Sequence, residues 1–424
     1  MMKFEDFKRL IDETRAAGKK VIAVSKTLLA DHTTPLMAYK ALGGNGVPSA
    51  LLESVRQGKD VGRFSVVAAR PFLRFSVYGD YSLEEKLSHG DKVKTNKPLE
   101  HLADLLACYT PFKKDIYFNG GAVGYMGYES VRLVETTVPR NGNDDLSCPD
   151  ILFYFFRQLV IFDHAFQKLH LVINEIVDED TESMYKKVSC RLDGLEKAIT
   201  RRRVRYKAIR PAIDNDPINS NMAKEVFMGI VREAKKYIEK GDVFQVVLSQ
   251  RFQRSFPAGL SLDFYRLLRH INPSPYLFHI NFGNGFKMAG ASPEVMIEIK
   301  DEKIHIRPIA GTRKRGKTAE EDGAMAEDLR NDPKEIAEHK MLVDLARNDA
   351  GRYSEFGSIT IPEIMKVENY SHVMHMVTSV YGRLRKEFSS LEACLGCLPA
   401  GTLSGCPKIK AMEIIARLEP SIRG

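Results

Sequence analysis

The stretch DPKEIAEHKMLVDLARND, residues 332–349, has the pattern of a helix that begins at a defined residue. Asp332 can cap the helix, Pro333 suits the first helical position, and Glu335 completes a D-x-x-E capping box. Glu335 therefore has a structural reason to be there. The pattern predicts a helix that begins at Pro333.

Glu338 in the same stretch has no such structural reason. It stands four and seven residues before Leu342 and Leu345, so its carboxylate falls on the apolar stripe of the helix. A buried carboxylate needs a partner, and oxygen ligation of Mg²⁺ is one way to provide it. An arginine is the other. Periodicity leaves the magnesium ligand and the ion pair equally open.

Two segments before this helix carry polar residues in unusual places. Alternation over residues 242–252 predicts a strand with one apolar face, made of Phe244, Val246, Leu248 and Phe252. The other face carries polar groups among Val243, Gln245, Val247, Ser249 and Arg251. In KIHIRPIAGTRKRG, residues 303–316, a strand runs into Ala310-Gly311-Thr312, where glycine would let backbone N–H groups approach an anion. A purely structural tight turn is an equal alternative.

Two segments after the helix complete the set. ENYSHVMHMVTSV, residues 368–380, predicts a strand in which His375 shares a face with Val373 and Val377. A lone inward histidine is more often a satisfied core residue than a catalyst. PAGTLSGCPK, residues 399–408, adds a second Gly/Thr loop that leads into a helix from about Lys408. Both Gly/Thr loops are suited to holding carboxylates.

The rest of the chain mixes strands and helices. Residues 49–79 and 151–176 are strand-rich, residues 183–198 and 221–240 have helical periodicity, and residues 281–300 predict a hairpin that turns at Gly283–Gly285. Residues 209–221 combine two prolines with Asn, Asp and Ser, which is typical of a domain boundary. We therefore expect an N-terminal region over residues 1–210 and a second domain over residues 211–424.

Composition narrows the class of protein less than the motifs do. The formal charge of +8 arises from 63 basic and 55 acidic residues that are interspersed. The one dense basic run, residues 201–210, is interpreted as a solvated linker rather than a nucleic-acid site. No signal peptide and no stretch of 18 apolar residues is present, which predicts a cytosolic protein. Six scattered cysteines predict thiols, and the lone Cys394-x-x-Cys397 pair favours small apolar residues on a helix over a zinc site.

Taken in order, the motifs resemble one family. FQVVLSQRF, NPSPY, GASPEV, RPIAGTRKRG, DPKEIAEHKMLVDLARND, ENYSHVMHMV and PAGTLSGCPK are similar in order and spacing to the chorismate-utilising enzymes. From end to end the chain resembles component I of the anthranilate synthases. The resemblance implies an α/β (α+β) fold in which large antiparallel sheets pack with helices, preceded by an N-terminal regulatory region. It also implies that residues 211–424 form the chorismate-binding catalytic domain.

The resemblance assigns roles to several carboxylates. It implies that Glu338 binds Mg²⁺, which grips the C1 carboxylate of chorismate and acts as a Lewis acid, with Glu335 as a weaker second ligand. Glu294 of GASPE corresponds to the general acid that protonates the departing C4 hydroxyl. Gln245 stands where water-adding relatives carry a lysine base, and ammonia needs no such base. Ala310 stands where some aminodeoxychorismate synthases carry a nucleophilic lysine.

The implied reaction has two steps. Ammonia attacks C2 with loss of the C4 hydroxyl, and elimination of pyruvate then leaves anthranilate. His375 matches the histidine linked to the second step. Gly311, Thr312 and Thr402 are expected to hold the substrate through backbone N–H groups and hydroxyls.

The resemblance also implies an inhibitor site for tryptophan. The LLES motif would supply Glu53 and Ser54, and the NPSPYL motif would supply Asn272, Pro275, Tyr276 and Leu277. Leu277 replaces the family's usual methionine, which is a near-isosteric change. A partner glutamine amidotransferase, component II, would supply the ammonia, because the chain contains no amidotransferase cysteine motif.

One departure from the family concerns the end of the chain. Members of the family continue with a glycine-rich strand, a carboxylate-binding arginine and a second metal-ligating glutamate, so we expect the chain to be cut short at its C-terminus. Two alternatives follow. Component I of an aminodeoxychorismate synthase is disfavoured by Ala310 and by LLES, and an inactive tryptophan-binding or subunit-docking fragment would need only the N-terminal half.

Overall fold

The computed structural model describes residues 2–44, 46–54, 62–112, 116–140, 142–201, 216–370 and 373–423. The chain forms two compact units that are interleaved along the sequence. The first comprises residues 1–126, 151–214 and 256–293, and the second comprises residues 127–150, 215–255 and 294–424. Each half of the sequence therefore contributes to both units, and the spatial division differs from the division at residue 210. Most of that boundary and of the basic run lies outside the described residues.

The first unit is a large antiparallel sheet with helices, and its elements are numbered along the whole chain. Its helices are α1 (Phe4–Ala16), α2 (Pro35–Ala41), α3 (Pro98–Tyr109), α4 (Thr181–Arg201) and α6 (Ser261–Ile271). Its strands are β1 (Val21–Leu29), β2 (Ser49–Glu53), β3 (Phe64–Tyr78), β4 (Tyr81–Lys86), β5 (Lys92–Thr95), β6 (Ala122–Met126), β7 (Ile151–Asp163), β8 (Lys168–Ile176), β12 (Tyr276–Gly283) and β13 (Phe286–Ser292). These bounds confirm the strand-rich segments that the sequence predicts.

The sheet runs in the order β1-β8-β7-β3-β2-β12-β13, with β4, β5 and β6 attached beside β3 and β7. Its last two strands form the predicted hairpin. Asn284 and Gly285 lie between the paired Gly283 and Phe286 and have φ values of 50° and 81°. Positive φ at both central residues is what an Asn-Gly hairpin turn requires.

Both faces of this sheet are covered by apolar side chains. On one face the helices α1, α2, α4 and α6 contribute to a core that includes Phe7, Tyr39, Leu192 and Tyr265. On the other face the strands bury a second cluster around Tyr154 and Phe282. Because both faces of these strands are buried, their sequences are nearly continuous in apolar residues.

The second unit combines helices with short strands. Its helices are α5 (Lys224–Glu239), α7 (Ala319–Asn331), α8 (Pro333–Tyr353), α9 (Ser390–Gly396), α10 (Gly401–Ser404) and α11 (Lys408–Leu418). Its strands are β9 (Asn219–Ser220), β10 (Gln245–Val246), β11 (Phe252–Gln253), β14 (Glu298–Lys300), β15 (Lys303–Ile306), β16 (Ile309–Lys314), β17 (Lys366–Asn369), β18 (Val373–Val377), β19 (Val380–Arg383) and β20 (Gly405–Cys406). The described residues also include two 3₁₀ helices, Tyr128–Leu133 here and Ala258–Leu260 in the first unit.

Two three-stranded antiparallel sheets lie beside α8, in the orders β14-β15-β19 and β16-β18-β17. Ile304, Ala350 and Val380 lie in the core beside the first sheet. Leu329 of α7 packs on Met374 and Met376 of β18 beside the second. In both cases apolar helix residues cover a sheet, from α8 on the first sheet and from α7 on the second.

Two strand predictions are wrong in extent. Residues 242–252 form no continuous strand, because Gln245 and Val246 pair with Cys406 and Gly405 whereas Phe252 pairs separately with Ser220. The side chains of Phe244 and Phe252 on the expected apolar face are 77% and 62% exposed. Residues 368–380 form β17 and β18 rather than one strand, with residues 371–372 between them outside the described part. Among the described residues no helix is long and apolar enough to cross a membrane.

Candidate functional site

A small cavity of about 40 Å³ lies inside the second unit. Its walls come from α8, from the segment before β16 and from the Gly/Thr loop at α10. The lining residues are Glu294, Met296, Ile306, Pro308, Leu342, Leu345, Ala346, Asp349, Cys397, Ala400, Gly401 and Thr402. Segments far apart in sequence thus meet around two carboxyl groups, those of Glu294 and Asp349.

Burial makes the carboxyl of Glu294 a much weaker acid than an ordinary glutamate. Desolvation raises the pKa of its carboxyl from 4.5 to about 7, although a hydrogen bond from the backbone of Ile309 works in the opposite direction. The charged form loses more hydration in the cavity than the neutral form does. Glu294 can therefore keep a proton near neutral pH and give it to a leaving oxygen, as a general acid must.

A buried ion pair stands at the same cavity and was not predicted. Lys408 Nζ lies 2.6 Å from Asp349 Oδ2 and 3.0 Å from the carbonyl oxygen of Cys397. Burial raises the pKa of Asp349, and the charge of Lys408 opposes that effect. One sequence signal was available. Lys408 occupies the first position of α11, where the helix dipole disfavours a cation, so a lysine there needs a carboxylate partner.

The Ala310-Gly311-Thr312 segment is part of a strand rather than a tight turn. Ala310 pairs with Met376 and Thr312 with His375, and the register shifts at Gly311, whose φ is 71°. Gly311 is thus a β-bulge, which explains the glycine structurally. Thr312 Oγ1 lies 3.1 Å from His375 Nδ1.

His375 lies on the less buried face of β18. Met374 and Met376 on the opposite face are fully buried, whereas His375 is half-buried. The predicted alternation is therefore correct, but the core side is the methionine side. The ring of His375 meets that of Tyr370 edge-on, with centroids 5.2 Å apart.

Glu335 and Glu338 both lie in the first turns of α8, which begins at Pro333 as predicted. Asp332 caps the helix by accepting from the backbone N–H groups of Lys334 and Glu335. Glu335 Oε1 is 3.7 Å from a guanidinium nitrogen of Arg313. Glu338 is half-buried and makes no hydrogen bond or ion pair with any described residue.

This donor set is compatible with Mg²⁺ only in a limited sense. Within the described part of the chain no three His, Cys, Asp or Glu side chains cluster as a ready-made metal site. Mg²⁺ is commonly bound by one or two carboxylates while water and substrate oxygens fill the other positions. An unpartnered Glu338 with Glu335 one turn away fits that arrangement.

Gln245 carries an orphaned polar atom. The backbone of Gln245 pairs with Cys406 in the short β10–β20 ladder. The side-chain Oε1 of Gln245 is buried without a hydrogen-bond partner in the described structure. Gly405 makes the approach possible, because a Cβ there would stand 2.1 Å from the Gln245 carbonyl oxygen. A buried acceptor left without a donor marks a place where a ligand can donate.

The Cys394 and Cys397 thiols lie on α9 and just beyond it, as predicted for small apolar residues. Both are free, and burial raises the pKa of Cys394 to about 11 and that of Cys397 to about 12. Thiols with such high pKa values are poor nucleophiles at neutral pH.

The residues predicted for the inhibitor site meet in the first unit. Strand β2 pairs with β12 so that Glu53 is opposite Leu277, and Ser54 Oγ donates to the Pro275 carbonyl oxygen over 2.8 Å. Leu277 is buried, whereas Asn272 and Tyr276 are exposed. The two motifs, more than 200 residues apart, thus lie side by side.

The carboxylate of Glu53 has partners that sequence reasoning missed. Tyr265 donates its hydroxyl to Glu53 Oε2 over 2.6 Å, and Arg269 Nη1 lies 2.8 and 3.0 Å from the two carboxylate oxygens. Burial and the charge of Glu53 raise the pKa of Tyr265 far above its usual range. The spacing of Tyr265 and Arg269 on α6 puts both on one helix face, which was the available signal.

The chain is similar to known proteins in sequence and in fold. The family model described as chorismate binding enzyme matches residues 48–424. Anthranilate synthase component 1 of Acetivibrio thermocellus is 38% identical, over 98% of this chain and 85% of that protein. The same component of Pseudomonas putida is 41% identical, over 100% of this chain and 85% of that protein. The crystal structure of anthranilate synthase component I from Streptococcus pneumoniae TIGR4 aligns with a TM-score of 0.73 and 33% identity, covering 94% of this chain and 85% of that one.

Proposed function

Because the chain belongs to the chorismate-binding enzymes, we infer that it forms anthranilate and pyruvate from chorismate and ammonia, as component 1 of an anthranilate synthase. The observation that carries this assignment is the Glu294 carboxyl, whose pKa is raised to about 7 by burial in the cavity. The first step must expel a hydroxyl group, and hydroxide leaves poorly unless it is protonated.

The nucleophile in this proposal is free ammonia, and Gln245 receives it. The orphaned Oε1 of Gln245 can accept a hydrogen bond from an N–H of ammonia, which orients the nitrogen lone pair away from the amide. An amide cannot remove a proton from water. This choice of side chain favours amination over hydration of the same substrate.

The two threonines and His375 act on the ring. Thr402 lines the cavity and Thr312 stands beside His375, so both hydroxyls can position a carboxylate or ether oxygen of the substrate. Loss of the C4 hydroxyl is followed by removal of a ring proton and departure of the enolpyruvyl group. His375 is the group proposed for that proton.

Glu338 would hold Mg²⁺, with Glu335 as a second ligand, and the ion would supply charge neutralisation for the substrate carboxylate and Lewis acidity toward the ring. The support is an unpartnered, half-buried carboxylate one turn before Leu342, which lines the cavity. Such a reaction makes the protein a carbon–oxygen lyase.

The cellular role follows from the same reaction. We place the protein in the cytosol, at the first step of tryptophan biosynthesis, with a component II amidotransferase as its source of ammonia. Tryptophan would inhibit by binding beside Glu53, Ser54 and the NPSPYL segment. The buried, fully partnered Glu53 supports a preformed polar site there.

One assay tests the catalytic proposal. The full-length protein is incubated with chorismate, ammonium and Mg²⁺, and anthranilate fluorescence and pyruvate are followed together. Equal amounts of the two products are expected. A product that keeps its enolpyruvyl group would instead indicate an aminodeoxychorismate synthase, and a hydroxylated product would indicate an isochorismate synthase.

A further inference from the structure

The bulge at Gly311 brings a backbone carbonyl oxygen against one ring nitrogen of His375. Gly311 stands between the paired residues Ala310 and Thr312 and has no partner of its own in β18. Its carbonyl oxygen lies 3.1 Å from His375 Nδ1. A carbonyl oxygen can only accept, so this contact is a hydrogen bond only when Nδ1 is protonated. In the neutral ring, Nε2 then carries the lone pair.

Thr312 is consistent with the same protonation state. Its Oγ1 lies 3.1 Å from the same Nδ1 atom, so the N–H can be shared between the carbonyl of Gly311 and the hydroxyl oxygen. The Thr312 hydroxyl then accepts and keeps its own proton to donate elsewhere. No described residue bonds Nε2, which leaves that atom available.

The ring is also held against rotation. Tyr370 contacts it edge-on at 5.2 Å, and the Tyr370 hydroxyl lies 3.4 Å from Glu368, which is opposite His375 in the β17–β18 ladder. Arg307 anchors Glu368 at 2.5 Å. Contacts on the ring edge and at Nδ1 together restrict a flip that would exchange the two nitrogens.

We propose that Gly311 is a positioning residue whose bulged carbonyl locks His375 in the Nδ1–H tautomer, so that Nε2 is the base of the aromatising elimination. This inference rests on the proposed function. Nε2 takes the proton from C2, the ring carbon that bears the new amine. The C–H electron pair completes the aromatic ring, the bond from C3 to the ether oxygen breaks, and the departing enolpyruvate takes a proton at its methylene carbon to become pyruvate.

Only glycine is compatible with this bulge. Its φ of 71° is strained for other residues, and a Cβ at residue 311 would lie 2.9 Å from Leu329 Cδ1 and 3.2 Å from Glu335 Oε2. We therefore expect an alanine to strain the bulge and to move the carbonyl away from His375. Gly323 on α7 offers a matched control, because a Cβ there meets nothing within 4 Å and its φ is ordinary.

The direct test is nitrogen NMR of the full-length protein labelled at its histidine rings. His375 is assigned by the signals that disappear in His375→Gln, and spectra are taken at about pH 8, above the ordinary histidine pKa. We expect a protonated Nδ1 and an unprotonated Nε2. A protonated Nε2, or an averaged mixture of both tautomers, would overturn the proposal. No substrate is present, so this result stands or falls independently of the reaction.

A second measurement compares Gly311→Ala with Gly323→Ala. Gly311→Ala is expected to mix the two tautomers and to raise the ratio of released amine that keeps its enolpyruvyl group to anthranilate by about tenfold or more. Gly323→Ala should leave the tautomer and the ratio unchanged. If Gly311→Ala folds and keeps the parent's tautomer and product ratio, Gly311 has no positioning role. If it does not fold, the spectrum of the unaltered protein still decides the matter.

Discussion

At the scale of single residues, the acid strength of Glu294 makes the clearest prediction. A general acid with a pKa of about 7 loses its proton as pH rises, so the rate of hydroxyl loss should fall through about pH 7. Glu294→Gln should lower kcat by about 100-fold or more and remove this dependence. Glu298→Gln, an exposed carboxylate in the neighbouring β14, should leave the profile unchanged. An unaltered pH profile in Glu294→Gln would exclude the role.

The same pKa shift has a consequence for stability. Because the carboxyl is harder to ionise when folded, the unfolded chain ionises first, and the free energy of unfolding falls as pH rises from 4.5 to about 7. Glu294→Gln removes that loss. Its advantage over the parent should grow across this window to at most about 3 kcal/mol and then stay constant. Urea unfolding at several pH values measures it.

We expect the Gln245 side chain to lower the stability of the fold in return for its role in binding ammonia. Its buried Oε1 has no donor, and such an atom costs about 1–3 kcal/mol. Gln245→Met keeps the shape and removes the acceptor, so it should stabilise the fold by about 1 kcal/mol while raising KM for ammonia about tenfold. A destabilised variant would mean that Oε1 is already satisfied, and an unchanged KM would mean that ammonia binds elsewhere.

Glu338 tests the metal proposal with a close control. Glu338→Gln should abolish Mg²⁺-dependent turnover and weaken Mg²⁺ binding measured by calorimetry, with the fold intact, because the amide keeps the shape but not the charge. Glu327→Gln on the exposed face of α7 should change neither. Near-normal activity with the same Mg²⁺ dependence in Glu338→Gln would contradict the assignment.

At the scale of elements, the proposed inhibitor site combines the end of β2 with the loop before β12. Ser54 Oγ ties them by donating to the Pro275 carbonyl, beside the Glu53 carboxylate that Arg269 and Tyr265 hold. Ser54→Phe should fill the space of the inhibitor and raise the tryptophan concentration for half inhibition at least about tenfold, with most turnover kept. Ser54→Ala removes only the tie and should have a smaller effect. Equal sensitivity of Ser54→Phe and parent would place tryptophan elsewhere.

Elements whose signals are local could be predicted from the sequence, and elements set by distant contacts could not. The Asp332 cap and the turn at Asn284 depend on residues within one turn of each other. Residues 242–252 alternate like a strand, yet their pairing depends on distant residues: Gln245 and Val246 pair with Cys406 and Gly405, about 160 residues away, and Phe252 pairs with Ser220. Alternation also placed His375 correctly, but the buried face of β18 is decided by Leu329 from another helix.

The candidate site divides in the same way. Glu338 and the Gly/Thr loops stand out in the sequence because their residues are unusual where they stand, whereas Glu294 was proposed from the resemblance to the chorismate-utilising enzymes. Two buried ion pairs were missed, that of Lys408 with Asp349 at the cavity and that of Arg269 with Glu53 in the first unit. Each of these pairs joins residues more than 50 positions apart, and nothing in a single sequence specifies which cation meets which carboxylate.

At the scale of the whole molecule, the interleaving of the two units is the feature that linear reasoning cannot supply. Residues 127–150 precede the boundary predicted at 209–221, yet they belong to the second unit. Val131 and Val138 pack on Met412 of α11 in a buried cluster. Glu129, whose side chain is 2% exposed, pairs with Arg132 and accepts the backbone N–H of Arg423 over 3.1 Å. The second unit therefore depends on a segment that a cut at residue 210 removes.

A fragment of residues 211–424 should accordingly fail to fold as a unit, although its sequence reads as a catalytic domain. Without residues 127–150 the fragment exposes Met412, and the backbone N–H of Arg423 loses the carboxylate of Glu129. We therefore expect no cooperative urea transition. In the full-length protein Glu129→Gln should lower the free energy of unfolding of the second unit by about 1–3 kcal/mol, because a buried charged partner is lost. Glu182→Gln, which alters an exposed i,i+4 pair with Lys186, should change it by no more than about 0.5 kcal/mol. A cooperatively unfolding 211–424 fragment would show that the upstream segment is dispensable and that the contiguous division describes the protein better.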